Sequence, residues 1–320
     1  MSEFLSKCSA EAISHSAASL LAGNLVAFPT ETVYGLGADA CNVQAVARIY
    51  SVKGRPTDHP LIVHVSSIDS LGDWASEVPR YAISLARDYW PGPMTLIMKR
   101  SALAGDFVTG GQDTVGVRVP DHPVALGLLQ AFARLGGKGV AAPSANRFGN
   151  VSPTTAQAVA DELSNYLADT DQILNGGACS VGVESTIIDC SADSPRILRP
   201  GAITEAMILK STGFSQIEHG EKSDIRVSGS LDSHYAPLAT VVLDQSPVAG
   251  QGFIATLDIA TPDGVVRLAA PKNHDEFAQV LYAALREADQ KALKTVVVHQ
   301  PSGDGIAIAI RDRLKRAAKN

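Results

Sequence analysis

The stretch Gly139 to Thr155 restricts this chain more than any other. Its first residues, Val140 to Ala142, are small and apolar and suit a buried strand. Pro143 has no N–H to donate, so the strand's ladder ends there. A polar loop follows, carrying Ser144, Asn146, Arg147, Asn150 and Ser152. Pro153, Thr154 and Thr155 then open a helix that runs through Leu163 toward Leu167. Strand, polar loop and helix start, in that order, can offer hydroxyls, an amide, backbone N–H groups and a helix N-terminus to an anion. An isolated polar turn would look the same, so the stretch gains meaning only beside a second one.

Lys53-Gly54-Arg55-Pro56 is that second stretch. Two cations at i and i+2, with Gly between and Pro after, form a phosphate clamp in which Arg grips bidentately and Lys acts as a point charge. The helix Val43 to Val52 delivers them at its C-terminal end, where cations also complement the helix dipole. The chain shows no Gly-x-Ser-x-Gly, no His-Glu-x-x-His and no carboxylate dyad at helical spacing. It is rich in anion binders and poor in nucleophiles, which suits chemistry done by positioning and charge stabilisation at phosphorus.

Short apolar runs at 25–28, 61–65, 95–99, 114–119, 173–174, 184–189 and 196–198 read as strands, and 10–22, 76–89 and 124–135 as helices. Without a strict β-α-β beat, they predict an α/β (α+β-like) domain over residues 1–210, a twisted mixed sheet around a basic cleft. Arg118 alternates with Val117 and Val119 and so points away from the face they bury. His64 is a lone histidine in an apolar strand, a setting usual for a hydrogen-bonded core residue. From 211 to 236 Gly, Ser and charge dominate, as in a linker. Residues 237–320 alternate strands with two helices and predict a small Rossmann-like α/β domain. Its basic end, Arg311 to Lys319, reads as a solvated helix face.

A length of 320 residues suits two domains. The net charge of -6 argues against a nucleic-acid grip by the whole surface. Cys8, Cys41, Cys179 and Cys190 include no Cys-x-x-Cys pair, so neither a zinc site nor a disulfide framework is expected. No run reaches the roughly 18 apolar residues of a membrane span. The N-terminus, with Glu3 and Glu11 against Lys7, reads as a helix and not as a signal peptide. A cytoplasmic protein is expected.

The order Lys53-Gly54-Arg55-Pro56 and Pro143-Ser144-Ala145-Asn146 resembles the YrdC-like family, the threonylcarbamoyl-AMP synthases. So do Phe28 to Leu36, Trp90 to Thr95, Val115 to Pro120, Glu184 to Asp189 and Leu198 to Gly201. His234-Tyr235-Ala236-Pro237 and the tail after it resemble the family's longer, two-domain branch. The resemblance covers nearly the whole chain. One departure is His59, where the family commonly has Asn; histidine can still donate to a nucleotide, with a pH dependence of its own.

The resemblance implies that ATP is held by Lys53, Arg55, His59, Thr114, Ser144, Ser152, Arg199 and Tyr235. It implies that threonine is held by Thr32, His64, Arg118, Ala142 and Ser185. Lys53 and Arg55 then act as electrostatic stabilisers, the 211–236 linker becomes a lid, and Trp90-Pro91-Gly92-Pro93 is mainly architectural. L-threonine, bicarbonate and ATP would give threonylcarbamoyl-AMP, pyrophosphate and water, with Mg²⁺ carried on the ATP and no protein metal ligand. A transferase machinery downstream would move the group to tRNA. Two other readings stand beside this one. A double-stranded RNA or tRNA-binding module would use the same basic concavity. A carbamoyl-handling maturation factor would need acyl-phosphatase and zinc-finger-like segments that this sequence lacks.

Overall fold

Short strands broken by turn residues produce a large mixed sheet here, and Ser9, Asn42, His122, Thr155 and Thr204 cap helices between them with their side chains. The computed structural model describes residues 5–219, 225–229 and 235–319. His234 of the His-Tyr-Ala-Pro motif and the linker stretches 220–224 and 230–234 lie outside the described residues.

In chain order, β1 (Leu5–Lys7) precedes α1 (Ala10–Leu21), and a tight turn separates β2 (Val26–Phe28) from β3 (Gly35–Asp39). The helix α2 (Val43–Lys53) starts on Asn42, whose side chain accepts from the Gln44 and Ala45 N–H groups. It ends on Gly54, in the left-handed conformation at φ 62°. That cap leaves Lys53 in the last turn and starts Arg55 in a new direction. Next come β4 (Ile62–His64), α3 (Leu71–Trp74), α4 (Arg80–Tyr89), β5 (Met94–Lys99), α5 (Asp106–Thr109), β6 (Thr114–Arg118) and α6 (Pro123–Arg134). They are followed by β7 (Val140–Ala141), α7 (Ala156–Leu163), β8 (Gln172–Asn175), β9 (Thr186–Asp189), β10 (Arg196–Arg199), α8 (Glu205–Thr212) and β11 (Glu218–His219).

Among the described residues these strands form one sheet in the order β1-β8-β2-β3-β7-β4-β6-β5-β9-β10-β11. A second, wholly parallel sheet has β12 (Thr240–Leu243), β13 (Gly252–Ile254), β14 (Val266–Ala269) and β15 (Thr295–Val298) in the order β12-β15-β13-β14. The helices α9 (His274–Gln290) and α10 (Ile306–Ala317) accompany it. A mixed α/β fold with a second, parallel α/β unit is thus what the alternation of elements predicts.

Boundaries differ where side chains decide them. Pro79 caps α4, so residues 76–79 are not helical and the expected helix over 76–89 is shorter. The helix α7 stops at Leu163, short of residue 167. Residues 5–7, expected to be helical, instead pair with β8 in parallel. The pairing of β11 with β10 carries the first sheet into the stretch read as linker.

The two units share apolar core. Val33, Val151 and Val183 of the first pack with Phe277, Leu281, Tyr282, Ile310 and Leu314 of the second. Arg286 of α9 adds a pair with Glu162 of α7 at 2.6 Å and a hydrogen bond to the Val151 carbonyl.

Candidate functional site

Register sets one wall of the site. Parallel pairing of β4 with β6 puts His64 opposite Arg118, and antiparallel pairing of β4 with β7 puts it opposite Val140. The turn before β3 is built by Thr30, whose hydroxyl donates to the Val33 carbonyl at 2.6 Å and lies 2.9 Å from the Thr32 hydroxyl. Arg118 donates to Glu31 Oε1 at 2.6 Å and to Thr32 Oγ1 at 2.9 Å. The second Glu31 oxygen accepts the Asp121 N–H at 2.9 Å. Arg118 Nε and His64 Nδ1 are buried with no hydrogen-bond partner among the described residues. Burial, with the Arg118 charge beside it, pushes the His64 pKa down to about 3, so the imidazole is neutral at physiological pH.

The opposite wall joins the two stretches that dominate the sequence. Lys53 Nζ donates to the carbonyls of Ser144, at 2.6 Å, and Asn146. Burial and the neighbouring Arg55 charge push the Lys53 ammonium well below its usual range. The loop is also laced to the turn before β3: Leu36 N–H donates to the Pro143 carbonyl and Ala145 N–H to the Tyr34 carbonyl. Arg55 donates to the Pro60 carbonyl at 3.0 Å and to Ser228 Oγ at 3.2 Å. Arg199 donates to the Ser185 carbonyl and hydroxyl and, at 2.7 Å, to the Ser228 carbonyl.

A cavity of about 50 Å³ lies between these walls. Of the residues singled out in the sequence, Thr32, Arg55, His64, Arg118, Ala142, Ser144, Arg199 and Tyr235 line it. Lys53, Ser152 and Ser185 stand behind the wall as buried supports. Ser152 donates to Glu184 at 2.6 Å, and Ser185 Oγ lies 2.8 Å from Thr95 Oγ1. His59 is set apart, edge-on to Phe148 at 5.3 Å, and burial lowers its pKa. Thr114 lines an adjoining cavity with Gln112, Arg226 and Ser228.

Linker residues 225–229 lie across both cavities. Arg226 donates to the carbonyls of Asp58 and Gly110 and exchanges hydrogen bonds with Gln112 through its backbone. Val227 packs on Ile97 and Ile187 of the sheet.

Sequence reasoning missed a buried group that joins the two units. Glu184 lines the cavity and accepts from Ser152 on one oxygen. Its other oxygen accepts from Tyr282 Oη and from Arg313 Nε, both at 2.8 Å. Burial would raise the Glu184 pKa, but Arg313, Arg199 and these hydrogen bonds hold it down at about 2. The expectation that Arg311 to Lys319 is a solvated face fails at Arg313, which is only 1% exposed. The signal was present: Arg313 follows Ile310 by three residues and precedes Ala317 by four, so it sits on the apolar face of α10. Glu31, in the Pro-Thr-Glu-Thr turn, was passed over as well, as was Asn146 among the site residues.

A family model for Sua5, YciO and YrdC proteins, described as telomere recombination, matches residues 18–201. A second, described as the threonylcarbamoyl-AMP synthase C-terminal domain, matches residues 202–319. The chain belongs to the Sua5/YciO/YrdC family, in its long two-domain form. A Sua5/YciO/YrdC relative from Bacillus subtilis, a threonylcarbamoyl-AMP synthase, is 39% identical, covering 96% of this chain and 92% of its own. One of the same description from Pyrococcus abyssi is 36% identical, covering 92% and 91%. The structure of P. abyssi Sua5 complexed with L-threonine superimposes with a TM-score of 0.87 at 35% identity, covering 98% of this chain and 96% of that one. Both units of this Sua5-type chain, not the first alone, are therefore family features.

Proposed function

We propose that this chain is an L-threonylcarbamoyladenylate synthase, an enzyme of the nucleotidyltransferase type. L-Threonine, bicarbonate and ATP become threonylcarbamoyl-AMP, pyrophosphate and water, the first step toward threonylcarbamoyladenosine in tRNA. The observation that carries the reading is one cavity with two differently equipped ends. At one end Arg118 and His64 keep buried, unused polar atoms beside Thr32, as a small amino acid with a carboxylate requires. At the other, Arg55, Arg199 and Ser144 converge, as phosphate requires. The relatives that are threonylcarbamoyl-AMP synthases, and the P. abyssi relative that binds L-threonine, support the same assignment.

In this reading the threonine amine and bicarbonate condense to a carbamate with loss of water. A carbamate oxygen then attacks the α-phosphorus of ATP and pyrophosphate leaves. The protein's part is to align the two ends of the cavity and to balance charge on the phosphates with Arg55 and Arg199, while Lys53 holds the loop that carries Ser144. Magnesium enters as MgATP. The two carboxylates closest to the site, Glu31 and Glu184, already spend their oxygens on Arg118, Asp121, Ser152, Tyr282 and Arg313. Residues 225–229 bind Arg55 and Arg199 through Ser228 and line the cavity with Ser228 and Gly229, and in this reading they swing aside as MgATP enters.

The product passes to a tRNA threonylcarbamoyl-transferase machinery, and we place the enzyme in the cytoplasm. No described helix is long and apolar enough to cross a membrane. The RNA-module reading is disfavoured because Lys53, Arg55, Arg118 and Arg199 are buried and form no open basic face for a duplex. Mass detection of threonylcarbamoyl-AMP after incubation with all three substrates tests the proposal. Its formation is expected; AMP or unchanged ATP alone would refute it.

A further inference from the structure

Two buried glutamate–arginine pairs flank the cavity, and they belong to different parts of the molecule. Glu31–Arg118 lies within the first unit. Glu184–Arg313 spans the two units. Burying a guanidinium is costly unless its donors are used, and each of the three Arg313 nitrogens has a partner. Nε donates to Glu184, Nη2 to the Pro200 carbonyl at 3.0 Å, and Nη1 to Asp312.

Three residues at the nucleotide end of the cavity depend on this pair. Ser152 points its hydroxyl at Glu184. Arg199 leaves its strand one residue before Pro200, whose carbonyl Arg313 holds. The Tyr235 ring stacks on Tyr282 with centroids 5.8 Å apart, and the Arg313 guanidinium lies 5.4 Å from its centroid. Tyr235 also has a left-handed backbone at φ 63°, which costs a non-glycine residue energy and persists where surroundings over-determine it. At the threonine end Arg118 is tied instead to Glu31, and Thr32 to Arg118.

We propose that Arg313 is a positioning residue for the nucleotide end of the cavity: through Glu184 and Tyr235, the C-terminal unit shapes the wall against which ATP binds. The inference rests on the function proposed above for the identity of the ligand. Tyr282 is its second arm, since its hydroxyl fixes Glu184 and its ring fixes Tyr235. The first unit therefore does not hold a complete nucleotide wall by itself.

The test uses the full chain and four proteins: wild type, Tyr282→Phe, Arg313→Met, and Arg313→Met with Glu184→Gln. The double variant removes both charges and so avoids the isolated buried carboxylate that can prevent Arg313→Met from folding. Tyr282→Phe keeps the ring stack and loses one hydrogen bond. Dissociation constants for MgATP and for threonine are measured by calorimetry, beside the KM for each. Expected are a MgATP Kd weaker by roughly threefold in Tyr282→Phe and about tenfold in the double variant, with threonine binding within about twofold of wild type. A purely structural brace would lower the active fraction and leave both affinities of the folded protein unchanged; that result overturns the proposal. So does an equal weakening of both ligands. A wild type that binds MgATP but makes no adenylate would refute the proposed function alone, because the MgATP affinities of the variants still decide the role of Arg313.

Discussion

Lys53 Nζ lies 2.6 Å from the carbonyl oxygen of Ser144, so the Lys-Gly-Arg-Pro and Pro-Ser-Ala-Asn stretches are bound directly to each other. Lys53 thus holds the loop in shape as well as contributing charge. Lys53→Ala leaves two loop carbonyls without their donor, at a cost of about 1–3 kcal/mol. The variant is expected to melt at lower temperature and to form adenylate roughly 100-fold more slowly. Thermal melts and single-turnover assays check both, and near-wild-type turnover would remove Lys53 from the site.

Arg118→Ala removes the guanidinium beside Thr32 and should chiefly raise the threonine KM, by roughly 100-fold. Glu31→Gln keeps Arg118 but weakens the group that aims it, and a rise of about tenfold is expected. Threonine titrations at saturating MgATP compare the two. An unchanged threonine dependence in Arg118→Ala would contradict the assignment of that end of the cavity.

Acid should weaken the fold in two overlapping windows. The His64 pKa is held down at about 3 against an ordinary 6.5. The unfolded chain therefore binds the extra proton, and stability is lost as pH falls from 6.5 through about 3. The Glu184 pKa is held at about 2 against 4.5, which adds a loss of the same sign below pH 4.5. Melting temperatures between pH 7 and pH 3 should fall throughout, and His64→Gln should flatten the part above pH 4.5. A wild-type profile that does not fall toward acid would contradict both shifts.

Gly229 has a φ of +81°, and a Cβ there would overlap the Tyr235 hydroxyl. Gly229→Val is expected to push Tyr235 from its seat between Tyr282, Arg313 and the cavity. The ATP KM should rise by about tenfold, and the melting temperature should fall as well, because a β-branched residue is strained at that φ and Tyr235 is a buried ring. Steady-state kinetics with a parallel melt would check this. An unaltered ATP KM would show that Tyr235 does not need that seat.

Local chemistry made much of the fold legible. Thr155 opens α7 as its side chain predicts, and the apolar runs became strands. The polar loop after Pro143 and the cations at 53 and 55 do face each other. What could not be read was which buried charge meets which. Glu184 and Arg313 are 129 residues apart, and only docking of the second unit joins them. Arg118 invited a substrate carboxylate as its partner, yet part of its guanidinium belongs to Glu31, a residue of the turn before β3 that lies 87 residues away in the chain. His59 packs edge-on against Phe148, a contact between residues 89 apart that the local motif does not announce.

The most direct test of the central claim is pyrophosphate release from MgATP, measured with threonine and bicarbonate together and with each omitted in turn. Release that requires both co-substrates is predicted, since a carbamate must exist before anything attacks the α-phosphorus. Release that proceeds equally without threonine, or none from folded protein that binds MgATP, would contradict it.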